Sequence, residues 1–369
     1  MDRWKMSGWC ILCAAFALVL ITAGLGFAAE FEVRKETEHF EIYYHSGQEQ
    51  QADNLLSFHE NSYAFVTGFI GYQPPSKIKI YLCSTPEEFA EVGNTPPEAK
   101  PPVGGSAGQW SNGVLSYYNP SGGQVGVAHE LVHAVESQFL PFERPRWWVE
   151  GLACYLTYKF MGEIGPGGLY SNQLSDFMGS ILENSVPFKT LGELEGEVVL
   201  TKFGYEESTS VFLFIDEKYG ESKLREIIQA ASAWENVHAA FQAVLGIGFH
   251  AFEAEWRTAL TLSVVAIAEA RGAVGMAERD GRTQGLDEAR AKLSEAGEAF
   301  NSGKFGEAKA RADEAKALAE SASREAAGSS PLPIVIIVIV AAIVLAAACR
   351  IKLSRSAEVG IKHQTQVCR

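Results

Sequence analysis

Two histidines and a glutamate stand close together in His129-Glu130-Leu131-Val132-His133. On an α-helix, a four-residue spacing turns through about 400°, so the two imidazoles project about 40° apart, one turn above each other. Both can aim a ring nitrogen at one metal ion. Glu130, on the flank of the same face, is placed to take a proton from water beside that metal. The alternative is an ordinary helix that happens to carry two histidines. Seventeen residues beyond His133 comes Glu150, in the segment PRWWVEGLACYLTYKF (Pro145–Phe160). Its neighbours Trp147, Trp148, Val149, Leu152 and Ala153 are apolar. A carboxylate among them is costly unless it is paired or bound to a cation. The other reading of Glu150 is an acid near a helix N-terminus, favoured by the dipole. Two nitrogens and one oxygen leave the fourth corner of a tetrahedral metal open, the donor set of a catalytic rather than a structural zinc.

These side chains converge only if two helices present them. Ser121 and Gln124 fit a capping box, and the first helix then runs to about Phe139, stopped by Pro141. Pro145 suits the start of the second helix and Gly162 its end. Upstream, Phe40–Tyr44 and Lys77–Cys83 read as strands. Between them Leu55, Leu56, His59, Tyr63, Val66 and Ile70 recur at helical spacing. Thr85 caps a short helix with Pro86 at its first position, and residues 94–105 form a loop rich in proline and glycine. Ala107–Ser111 and Val114–Tyr118 pair through the turn dipeptide Asn112-Gly113. Several helices follow to about Ile267. Strands first and helices after indicate an α+β domain, taken as residues 30–267.

At this point HELVH followed by RWWVEGLACY resembles the gluzincin clan of zinc metallopeptidases, most closely its membrane-associated peptidase branch, over about Phe40 to Leu262. The resemblance implies a zincin-like metallopeptidase domain, a small mixed sheet plus helices. It implies that His129, His133 and Glu150 hold one zinc ion (Zn2+), that Glu130 is the general base, and that the substrate is a peptide or protein. In aminopeptidase relatives a tyrosine followed by glutamate on a later helix donates to the oxyanion. Tyr205-Glu206 is similar in setting, which makes Tyr205 the corresponding candidate; a partly buried helix tyrosine is the alternative. Two departures stand out. Where some gluzincins place an Asp four residues after the third ligand, supporting a zinc histidine, this chain has Cys154, and the histidine's orienting partner is unassigned. The edge-strand glutamate that holds a substrate amine in the aminopeptidases has no counterpart in GSAGQW, residues 105–110. Endopeptidase activity is therefore favoured over aminopeptidase activity, with the SAGQW strand available to pair with an extended substrate. A non-catalytic surface scaffold or receptor retaining the zincin fold is the alternative function, and an intact Glu130 speaks against it.

The remaining sequence says where such a domain would sit. The chain has 369 residues, 47% of them hydrophobic, which is ample for a core and excludes a wholly disordered protein. Its net charge of −14 argues against nucleic acid as a partner. Arg3 and Lys5, the apolar run from Trp9 to about Thr22, and small residues to Ala28 fit a signal peptide over residues 1–28, with an uncleaved anchor as the alternative. Leu332–Cys349 carries no charge and has the length of a short transmembrane helix; Arg350, Lys352 and Arg355 follow, so residues 350–369 read as a cytoplasmic tail. The expectation is a single-pass type I protein of the cell membrane, its catalytic domain extracytoplasmic. Cys83 and Cys154 could form one bridge or remain separate buried thiols. Leu286, Ala289, Leu293, Ala296 and Phe300, then Phe305, Ala308, Ala312, Ala315 and Ala319, step by threes and fours across a break at 301–304. They predict an antiparallel helical hairpin within residues 268–330, read as a stalk, with a protein-binding module as the other reading.

Overall fold

The computed structural model describes residues 31–96, 100–103, 106–120, 124–164, 179, 181–183, 188–195, 204–281 and 285–325. The expected signal peptide, transmembrane helix and tail, and Ser121 of the capping box, lie outside the described residues.

Five short strands make one mixed sheet. They are β1 (Val33–Glu36), β2 (Phe40–Tyr44), β3 (Ile78–Cys83), β4 (Ala107–Ser111) and β5 (Val114–Tyr118), in the order β1-β2-β3-β5-β4. β2, β3 and β5 run parallel, and each outer strand joins antiparallel. β1 was not expected from the sequence: its VRKE stretch has no apolar run, and pairing with β2, not its own side chains, makes it a strand. Asn112 and Gly113 both take positive φ (52° and 77°), the conformation that matches a two-residue turn to strand twist, so β4 folds back onto β5. This places β4 at one end of the sheet.

The parallel pairings need crossovers, and helices supply them. α1 (Glu49–Ile70) joins β2 to β3, burying Leu55, Leu56, Tyr63, Val66 and Ile70. α2 (Pro86–Gly93) starts as expected, with Thr85 accepting from the Glu88 N–H at 3.1 Å. α3 (Gln124–Phe139) follows β5, and α4 (Arg146–Ile164) follows α3. α4 differs from expectation at both ends. Pro145 precedes the helix and accepts from the N–H groups of Trp148 and Val149, while Gly162 is passed and the helix runs two residues further. Trp147, Trp148, Leu152, Tyr155 and Leu156 are fully buried, so α4 is an interior helix, apolar on nearly every side.

α5 (Gly204–Tyr219) packs along α4. The close approach depends on Gly151, where a Cβ would lie 2.5 Å from the Ser208 carbonyl oxygen. Tyr155 donates to Asp216 at 2.9 Å and Lys159 pairs with the same carboxylate, tying the two helices side by side. α6 (Glu221–Trp234), α7 (Val237–Leu245) and the long α8 (Phe249–Arg279) complete the layer. α8 is the one helix among the described residues long and apolar enough to cross a membrane; its Trp256, Leu260, Val264 and Ile267 are buried in the core.

α8 runs unbroken through residue 267, where a boundary was expected. α9 (Leu286–Asn301) and α10 (Phe305–Glu325) form the predicted hairpin, with its small-residue seam buried at Ala289, Ala296, Ala308, Ala312, Ala315 and Ala319. The hairpin does not stand apart from the rest. α10 packs along α8, and the hairpin turn docks on α5, where Gly303 (φ 75°) lies against Leu213 and Glu217 accepts from the N–H groups of Phe305 and Gly306 at 2.9 and 2.8 Å. Phe300 and Phe305 belong to the same apolar core as Trp147 and Phe212.

Candidate metal centre

α3 turns Ala128, Leu131, Val132, Ala134 and Val135 into the core. Its other face then presents His129, Glu130 and His133 to an open cavity of about 510 Å³. Glu150, in the second turn of α4, enters from the side. Its Oε2 lies 3.3 Å from Nε2 of His129 and 3.3 Å from Nε2 of His133; the two Nε2 atoms are 3.0 Å apart. Side-chain exposure is 16%, 12% and 9% for His129, His133 and Glu150, so the donors reach the cavity from a largely dry wall.

The donor set fits a metal ion. A tetrahedral ion bonded at about 2.0–2.1 Å holds its ligand atoms about 3.3–3.4 Å apart. The observed separations are 3.0, 3.3 and 3.3 Å, and these three residues form a group able to hold a metal. Electrostatics point the same way. Burial alone would raise the Glu150 carboxyl pKa, but hydrogen bonds to His129 and His133 more than offset it, and the carboxyl stays well below its usual range. Burial would likewise depress His129, yet Cys154, Glu150 and Glu130 together hold its imidazolium well above the ordinary value. Converging acceptors of this kind call for positive charge at their centre, which a proton or a cation supplies.

Two further walls of the cavity bear on the site. Gly108, Gln109 and Trp110 of β4 line one side, which sets the sheet's end strand beside the candidate metal ligands. At Gly108 a Cβ would fall 3.2 Å from Cγ of Glu130 and 2.9 Å from Cε1 of Tyr117, so the missing side chain makes room for Glu130. Tyr205, in the first turn of α5, lines the cavity with its ring centre 6.4 Å from that of His129. Burial, then the charges of Glu150 and Glu130, push its phenol pKa up, so it remains a hydrogen-bond donor at neutral pH.

Sequence reasoning missed several neighbours. Arg146 lies 3.7 Å from Oε1 of Glu150, four residues earlier on the same helix. Buried Glu136 accepts from Trp148 Nε1 at 3.1 Å and pairs with Arg144 at 2.8 Å. Burial raises its carboxyl pKa, with Arg144 acting in the opposite direction. Helical spacing was the available signal for both: Glu136 follows His133 by three residues and Arg146 precedes Glu150 by four. Cys154, without an assigned role in the sequence, places its sulfur 3.7 Å from Nδ1 of His129. Cys83 and Cys154 are both buried and are not bridged. His45 pairs with Glu88, and His59 lies fully buried against Phe40 and Tyr117, both outside the group able to hold a metal.

No protein-family model matches this chain, and no curated protein matches it.

Proposed function

We propose that this protein is a membrane-anchored zinc peptidase of gluzincin type. The convergence of His129, His133 and Glu150 on one point, with Glu130 beside them and a sheet edge alongside, carries the reading. A zinc ion in this donor set supplies Lewis acidity, making water acidic near neutral pH and polarising a peptide carbonyl. The substrate backbone lies extended along β4, pairing as an added strand with the edge that no described strand occupies. Glu130 removes the proton of the attacking water and returns it to the leaving amine. Tyr205, protonated, donates a hydrogen bond to the developing oxyanion. β4 carries no acidic side chain to grip a substrate ammonium, which supports cleavage within a chain over removal of its first residue. The uncharged run 332–349 and its basic flank support an anchored enzyme whose catalytic domain faces outward.

The test is zinc content and cleavage of casein and a peptide library by the full-length protein in detergent, wild type against Glu130→Gln. Zinc retained by both, with hydrolysis lower by about 10²–10⁴-fold in the variant, is the expected result. Equal hydrolysis by the two proteins, or zinc binding without hydrolysis by the wild type, would overturn the reading.

A further inference from the structure

The two imidazoles of the metal centre differ behind the metal-facing nitrogen. Nδ1 of His133 is buried with no hydrogen-bond partner among the described residues, whereas Nδ1 of His129 faces the Cys154 sulfur at 3.7 Å. Cys154 is 5% exposed and stands four residues after Glu150, hence on the same face of α4 one turn further along. One helix therefore supplies a metal ligand and, a turn later, the group behind the ligand that the neighbouring helix supplies. The sulfur faces the nitrogen turned away from Glu150 and His133, and the group able to hold a metal does not include it.

We infer that Cys154 is the positioning residue of His129: its sulfur accepts the Nδ1–H, fixing the tautomer and ring angle that leave the Nε2 lone pair for the metal. The inference rests on the zinc reading above. A ligating histidine is normally held by an acceptor on its second nitrogen, and losing that acceptor typically weakens metal binding by about 10–100-fold. Here the acceptor is sulfur, a weaker partner than a carboxylate. It orients the ring while adding less to its basicity, so a carboxylate at the same position should tighten the site. The location is too buried for bulk water to replace a lost acceptor.

The experiment measures zinc affinity of the full-length protein by chelator competition, and the visible spectrum of its cobalt form, for wild type, Cys154→Ala, Cys154→Ser, Cys154→Asp and Glu150→Ala. The melting temperature of each metal-free protein is recorded beside them. The expected result is zinc affinity lower by about 10–100-fold in Cys154→Ala with an altered cobalt spectrum, and affinity restored or exceeded in Cys154→Asp. A Cys154→Ala protein that binds zinc within twofold of wild type with the same spectrum overturns the inference, even if its melting temperature falls, because Cys154 would then only fill space. Should Cys154→Ala or Cys154→Asp fail to fold, Cys154→Ser decides by the same criterion, since its shorter hydroxyl retreats from Nδ1. Failure of the zinc reading looks different: the wild type binds no zinc, or binds it as tightly as Glu150→Ala does.

Discussion

The two ends of α5 meet opposite kinds of surroundings. At its N-terminus Tyr205 looks into a cavity where three acceptors converge and Glu130 sits against a strand with no side chain at Gly108. At its C-terminus Glu217 satisfies two N–H groups at the start of α10, and the hairpin beyond is an alanine seam flanked by paired charges, Lys316 with Glu269 and Arg290 with Glu278. The hairpin end follows the spacing of its alanines. The cavity end holds groups that cost stability, including the buried Nδ1 of His133, which has no hydrogen-bond partner among the described residues. Departures from local consistency of this kind are what the proposed chemistry would require.

The largest expected effect tests the burden of a buried polar group in the core behind the sheet, His59, against Phe40 and Tyr117. Burial lowers the His59 pKa from 6.5 to about 3, so between those values the unfolded chain binds a proton that the folded chain does not. This depressed group imposes no penalty above about pH 6.5, and stability then falls with acidification by about 1.4 kcal/mol per pH unit down to about pH 3. Urea unfolding of metal-free wild type and His59→Leu at pH 7, 5 and 4 should show that slope in the wild type and lose it in the variant. Parallel curves would mean that His59 is solvated in the folded protein.

A smaller effect separates positioning of Glu130, the proposed base, from binding of the metal. Gly108→Ala forces a Cβ against Glu130 and Tyr117. Glu130 must then give by a few tenths of an ångström, and since a displacement of about 1 Å costs about 10²-fold, turnover should fall by less than about 10²-fold while zinc affinity stays unchanged. A matching loss of zinc would place Gly108 among the supports of the metal rather than of Glu130. The smallest effect sharpens the contrast from the other end. Glu217→Ala removes the acceptor for the first N–H groups of α10 and should cost about 1–2 kcal/mol in thermal unfolding. Zinc affinity should not change; if it did, the two ends of α5 would be coupled and the comparison would break.

Much of this was legible because it was local. The strands at Phe40 and Ile78, the Asn112-Gly113 turn, the Thr85 cap and the alanine-lined hairpin follow from period, turn chemistry and capping within a few residues. Element ends were read less well. Gly162 proved insufficient to stop α4, whose apolar side chains at Phe160 and Met161 are still buried against the core. β1 was invisible because its only support is the strand across from it. The hairpin's attachment was missed for a similar reason, since a seam of alanines shows what packs within the hairpin and not what the hairpin packs against.

His129, Glu130 and His133 share a face by helix geometry, so the sequence alone determines that these three stand together. The register of α4 likewise follows from its sequence, and with it the four-residue step from Glu150 to Cys154. Only the tertiary structure decided that Glu150 meets both imidazoles at 3.3 Å, that Cys154 lands behind His129, that Tyr205 closes one wall and that Gly108 leaves room for Glu130. The reason is that a helix sets the angle between its own side chains, whereas the distance between side chains on different helices is set by how their apolar faces pack. That packing is a property of the whole core.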